Sequence, residues 1–372
     1  MMVRIDLPDD VLEKLKDVGI ETDTSRRAGT YVHANHTSVT SEVNESLKED
    51  IEIIDIRKAL EKYDWLKEYW WKAVDKDKDE FTKLTDEKLG GGYFIWVKKG
   101  AQVSVPIQSC MFIQEENFKQ IVHNVVIVEE GARVNILTGC LTHPNIHTAE
   151  HIGISEFYVK KDAYLNFTMI HEWTDNSFVR PRSAAIVEDD GHFVSNYIVL
   201  NPVRDIQMYP RTMLKGEKSK ATLTSLLYGQ KESLLDIGGR IDLIGKGSQG
   251  QIISRAITTD KATIIARGMI VGEQKDSKAH LECQGLLLSD TSIMHAIPEL
   301  IAKKEGTELS HEAAVGKISQ EEIIYLMSRG LSEQEATDII VRGFLDIKIL
   351  GLPDEFEERV QNLINRVGDE GM

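Results

Sequence analysis

The chain has 372 residues, 41% of them hydrophobic and 28% charged, the composition of an ordinary soluble globular protein with material for a large core or two to three domains. A formal charge of −16 argues against nucleic acid and anionic membrane as main partners, since both select a basic surface. The start has no apolar run of the signal-peptide kind, no stretch reaches the length of a membrane span, and three widely spaced cysteines do not make a disulfide framework, so a reducing cytoplasm is the expected compartment.

Residues 1–92 read as a helix and loop region. Pro8, Asp9 and Asp10 start a helix whose apolar stripe is Val11, Leu12, Leu15 and Val18, and Gly19 ends it. Gly29 to Ser46 is polar and rich in Thr, Ser and Asn, and reads as a loop. A second helix is expected from Arg57 to Val74, with Leu60, Tyr63, Leu66, Tyr69 and Trp70 at helical spacing. Asp75 to Glu80 is a charge run of the solvated-linker kind, and Gly90, Gly91 and Gly92 close the region.

From 93 to 305 short strand-like runs dominate and an internal repeat appears. Gly100-Ala-Gln-Val103 returns as Gly131-Ala-Arg-Val134, Asp162-Ala-Tyr-Leu165, Gly191-His-Phe-Val194, Lys220-Ala-Thr-Leu223, Gly250-Gln-Ile-Ile253 and Lys278-Ala-His-Leu281, at spacings of 31, 31, 29, 29, 30 and 28. A fixed period with a tight turn followed by β-branched residues is the pattern of a parallel β-helix, in which each rung buries its inner face on the next. An antiparallel sandwich with evenly spaced hairpins is the alternative.

Residues 306–372 read as helical. Ser319-x-x-Glu322 and Ser332-x-x-Glu335 are capping boxes, with Gly330 as a C-cap between their helices. Ala336, Ile339, Ile340 and Phe344 line one side of the second helix, and Pro353 opens a third with Phe356, Val360, Leu363 and Val367. Such helices cap a solenoid or dock a partner.

Cys283 is the first chemical candidate. A lone thiol is commonly a small buried hydrophobe, but this one lies among His280, Glu282 and Asp290, and strand alternation puts Glu282 on the opposite face. His311 and Glu312 follow where the chain is expected to turn helical. Adjacent residues of an extended segment point apart, so both reach one metal only if the chain bends or if they serve different chains. Cys140, at the end of a rung strand, divides evenly between packing and function, and Cys110 reads as core. His143, His147 and His151 read as loop and rung histidines, and His33 with His36 is a weak zinc-like pair. Gly316-Lys317 is followed by Ile318 rather than Ser or Thr, so this is no phosphate-binding loop, and ATP hydrolysis is not expected of this chain.

Cys283-x-x-Leu286-Leu287-x-x-Asp290, Ser310-His311-Glu312-Ala313, Tyr325-Leu326-x-Ser328-Arg329-Gly330-Leu331-Ser332 and Ile340-x-x-Gly343-Phe344 together resemble the SufB/SufD family of the SUF iron–sulfur cluster assembly system. The resemblance implies a mainly β fold: a right-handed parallel β-helix core with N-terminal and C-terminal helical segments. It implies that Cys283 accepts sulfur and ligates a nascent cluster, that Cys140 matches a position of sulfur entry, and that His311 and Glu312 lie between two protomers whose ligands complete the site. It further implies a C-terminal docking segment for SufC, an ABC-type ATPase, and leaves the participation of reduced flavin open.

A conventional cluster takes about four protein ligands, usually thiolates. This chain has three cysteines and no Cys-x-x-Cys, so two copies, each giving Cys283 with His311 or Glu312, would supply a set across a two-fold axis. A cluster on mixed ligands is also easier to release. The expected function is therefore a non-enzymatic scaffold holding a transient iron–sulfur cluster. It would act as a homodimer or a SufB–SufD-type heterodimer with a SufC-like ATPase, a sulfur donor and apo-protein acceptors. Retention of Cys283 favours the SufB role. The alternatives are a SufD-like adaptor without its own cluster and a β-helix carbohydrate-active enzyme.

Overall fold

In a computed structural model, which describes residues 9–345, each repeat supplies one strand to each of two parallel sheets of ten strands, and the sheets face each other as a β-solenoid. One corner is built alike on every turn. Gly100, Gly131, Asp162, Asp190, Lys218, Gly247, Asp276 and Gly306 all have positive φ. These corners stack: the Gly100 N–H donates to Glu130 O at 2.9 Å and the Gly131 N–H to Lys161 O at 2.9 Å. Glycine takes this left-handed backbone without a Cβ clash, and aspartate tolerates it better than most residues. The next residue, Ala101, Ala132, Ala163, Ser219, Ser248 or Ser277, is small and buried.

Alternation then sorts the side chains. In the strand Gln249–Thr258, Gly250, Ile252, Ser254 and Ala256 face the interior, while Gln251, Ile253 and Arg255 face out. Inward residues of both sheets join one apolar core running from Ala28 to Cys283.

Four segments differ from expectation. Gly29–Ala34 is a wholly buried rung strand, in parallel register with Ile107–Ile113, and Thr37–Val43 pairs antiparallel with it to close that edge. Its polar residues bond inside the fold: Gln108 Nε2 donates to Thr30 Oγ1 at 3.0 Å and Tyr31 Oη to Gly92 O at 2.8 Å. Burial with distant partners for most of its polar groups hid this strand behind a loop-like composition. The second helix is only Ile56–Lys62, followed by a 3-10 turn at Asp64–Glu68 and Trp71 at φ 56°. Tyr63, Trp65 and Tyr69 instead spread over Phe94, Trp96 and Tyr158, because a sheet offers flat rings more contact than one helical stripe does. The charge run ends in structure: Asp79 caps the helix Glu80–Glu87 and binds Arg182 Nε at 2.5 Å.

At the other end the strand ladder passes residue 305. Glu308–Lys317 is a further rung, paired along its length with Lys278–Leu287. His311 and Glu312 therefore sit in a strand, not at a turn into helix. Helices Gln320–Met327 and Glu333–Leu345 follow, with Gly330 at φ 99° between them. The Ser332–Glu335 capping box forms, whereas the Ser319 side chain makes no cap bond. Ala336, Val341 and Leu345 are buried, the last two against the outer face of the sheet, and Ile339 is 49% exposed instead. The helix expected from Pro353 lies outside the described residues. No described helix is long and apolar enough to cross a membrane.

Candidate functional site at the open end

Cys283 is the third inward side chain of its strand and is 1% exposed. Its register partners are Ser254 on the rung before and Ala313 on the rung after. Residues level with one another in parallel strands share a face, so His311, level with Leu281, lies on the same inner face as Cys283. Glu312, level with Glu282, lies on the outer face. The sheet thus separates Cys283 from Glu312 within one chain and brings Cys283 and His311 to one side. His311 and Glu312 are both exposed, being on the last rung.

The pocket around Cys283 is shaped by its neighbours. Gly285 leaves room for Met294 from the opposite sheet, whose sulfur would stand 2.0 Å from any Cβ added there. Burial, then the adjacent Glu282 carboxylate, pushes the Cys283 thiol up to about 11. The Ser254 hydroxyl beside it is buried and has no hydrogen-bond partner. Ser254 continues an inward row of Ser225, Tyr197, Met169, Thr138 and Ser109, unusually polar for a core. Sequence reading missed this row, though its members recur about one repeat apart. On the outer face Glu282 binds Arg255 at 2.6 Å.

Cys140 is also inward and 1% exposed, level with Met111 and His171. Burial raises its thiol pKa. Five rung steps separate it from Cys283, roughly 24 Å at the usual strand spacing. Cys110 is on the outer face, packed with Val18 and Ile20 of the N-terminal segment. His151 and His171 are buried in the solenoid wall, and His143 and His147 are in the loop between Arg133–Thr142 and Thr148–Val159. Among the described residues no three His, Cys, Asp or Glu side chains converge to hold a metal ion.

The last rungs are open. Ile293, Ile301 and Val315 are 47%, 42% and 42% exposed, and the edge of Glu308–Lys317 beyond the sheet has no strand partner among the described residues. An apolar, unpaired edge is a ready template for a second chain.

Residues 111–344 match the SUF system FeS cluster assembly, SufBD core domain. The chain is 47% identical over 352 residues to an iron–sulfur cluster assembly SufBD family protein of Archaeoglobus fulgidus, covering 95% of this chain and 94% of that protein. It is 44% identical over 364 residues to a counterpart in Methanothermobacter thermautotrophicus, covering 97% and 88%. With the iron–sulfur cluster assembly protein SufB of Bacillus subtilis it shares 30% identity over 369 residues, covering 96% and 78%. The solenoid and these matches together make the chain a member of the SufBD family of iron–sulfur cluster assembly proteins.

Proposed function

We propose that the chain is an assembly scaffold rather than an enzyme, and that iron and sulfide are joined at its open end into a cluster that is then handed on. The observation that carries this is Cys283, an inward thiol one rung from an unpaired apolar edge, with His311 on the same face. A second chain meeting that edge about a two-fold axis covers Ile293, Ile301 and Val315 and adds its own Cys283 and His311. Glu312, on the outer face, is assigned to the rim of this contact and to the partner's ligand set. The cluster is cargo, so incomplete ligation by either chain suits its release.

The burial of Cys283 gives the partner ATPase a physical task. A thiol with a pKa near 11 is protonated at neutral pH, and iron binds the thiolate. Opening the last rung would hydrate the thiol and lower its pKa. The C-terminal helices suit a docking role for a SufC-like ATPase, because Ile324, Tyr325, Met327 and Ile339 are 61%, 58%, 42% and 49% exposed on them. A buried Cys283 is also compatible with a SufD-like adaptor.

The test is anaerobic incubation of the full chain with ferrous iron, sulfide and reductant, with and without an ABC-type ATPase of the same system. Sulfide-to-iron charge-transfer absorbance that disappears in Cys283→Ser supports the scaffold. Absorbance that is absent from the wild type, or unchanged in Cys283→Ser, leaves the adaptor.

A further inference from the structure

The outer face of the second sheet carries a groove that takes no part in the site above. It has a volume of about 480 Å³ and is lined by Lys78, Arg182, Arg240, Arg267, Tyr209 and Met269, among others. It lies where one rung strand is interrupted between Asp205–Met208 and Arg211–Leu214, so the Tyr209 backbone lies between the two strands.

The arginines are held unequally. Arg267 is matched to Asp236 through Nε at 2.5 Å and Nη2 at 3.2 Å, and Arg182 is locked by Asp79 and the Gln207 side chain. Arg211 and Arg240 share one fully buried carboxylate, Asp242, each through Nε alone, at 2.5 and 2.7 Å. Among the described residues, no carboxylate accepts a hydrogen bond from their terminal nitrogens. Lys78 forms no ion pair among the described residues, although Asp79 is its neighbour in sequence. Burial of its ammonium, then the Arg182 and Arg211 guanidiniums, lowers its pKa. Four cations, Lys78, Arg182, Arg240 and Arg267, therefore line the groove with three carboxylates, Asp79, Asp236 and Glu299, in a chain whose overall charge is −16. Local positive excess against a strongly negative whole, with donors left free, is what an oxyanion site needs.

We propose that this groove binds a small organic phosphate. Lys78 and the terminal nitrogens of Arg240 would take the phosphate oxygens, and Tyr209 and Met269 would receive the apolar body. A phosphate monoester offers several strong acceptor oxygens, which forked guanidiniums and an ammonium match from different sides. The groove has the size of small-molecule sites.

Calorimetric titration of the full chain with phenyl phosphate tests this. Saturable one-to-one binding is expected, weaker by about tenfold in Lys78→Met and in Arg240→Gln, and unchanged in Lys220→Met in the groove of the other sheet. Inorganic phosphate should bind more weakly than phenyl phosphate. Lys78→Met breaks no ion pair, so its unfolding midpoint should match the wild type and its loss of binding reports the site. No saturable heat, undiminished binding by Lys78→Met, or equal affinity for the two phosphates overturns the proposal.

Discussion

The two ends of the solenoid are finished in opposite ways. At the N-terminal end the chain covers its own sheets, with an antiparallel hairpin on one and an aromatic plate on the other. The plate is pinned by Glu156, a fully buried carboxylate that accepts the backbone N–H groups of Trp71, Ala73 and Val74 at 2.8, 2.7 and 3.0 Å. His123 Nε2 lies 2.9 Å from the same carboxylate, and its ring stacks on Trp70 at 3.8 Å. At the C-terminal end apolar residues stand exposed, and among the described residues the last strand has a bare edge. A repeat protein needs a polar or covered cap at each end. Here one end is covered from within, the other is exposed among the described residues, and Cys283, His311 and Glu312 are all at that exposed end.

The largest expected effect separates the cysteines by end. Cys283→Ser should abolish assembled cluster absorbance, whereas Cys110→Ser, on the outer face near the closed end, should retain it. Equal loss in both would erase the distinction between the ends.

Val315→Asp places a charge on the bare edge and should weaken self-association by roughly 100-fold, or about 3 kcal/mol. Sedimentation of wild type and variant over a concentration series measures it. A wild-type chain that stays monomeric alone and with a SufB- or SufD-type partner would remove the shared site.

Glu156→Ala strips a buried carboxylate from three N–H groups and His123, and should cost roughly 3 kcal/mol or more. Chemical unfolding monitored by tryptophan emission, with Trp70 and Trp71 at the clamp, reads the loss. A change near zero would mean that the plate closes the end without the clamp.

Acid should open the closed end first. Burial lowers the His33 pKa from 6.5 to about 4 and that of His151 to about 3, and burial also lowers those of His123 and His171. The unfolded chain takes up these protons at higher pH than the folded one, so stability is lost as pH falls from 6.5 towards the folded values. The slope is on the order of 1 kcal/mol per pH unit for each histidine. Glu156 works in the same direction at lower pH, because its hydrogen bonds, working against burial, hold its pKa below 4.5. Hydrogen exchange at pH 5 and pH 7 should show the N-terminal rungs losing protection more than the C-terminal ones, where His295 and His311 are exposed. Uniform loss would contradict this.

The repeat was legible because every rung solves the same packing problem with the same turn, so Gly131-Ala132 and Asp162-Ala163 mark equivalent corners. Gly29–Ala34 was not, because its place among buried rungs depends on partners such as Gln108 and Gly92, far along the chain. The helical spacing of Tyr63, Trp65 and Tyr69 misled for a similar reason: aromatic rings follow whichever surface they meet. At the candidate site, the thiol and the His-Glu pair stood out by residue type. That Cys283 and His311 share a face while Glu312 does not follows from strand register, which local pattern leaves open.

Period, turn chemistry and inward alternation are local properties, set by neighbouring residues, and these were enough to specify a parallel solenoid with helices at its C-terminal end. Which end is closed, which thiol lies beneath the open one, and which arginines share a single carboxylate depend on contacts between residues about one repeat or more apart. Those contacts exist only once the rungs have stacked, because stacking is what brings such distant positions to the spacing of adjacent strands.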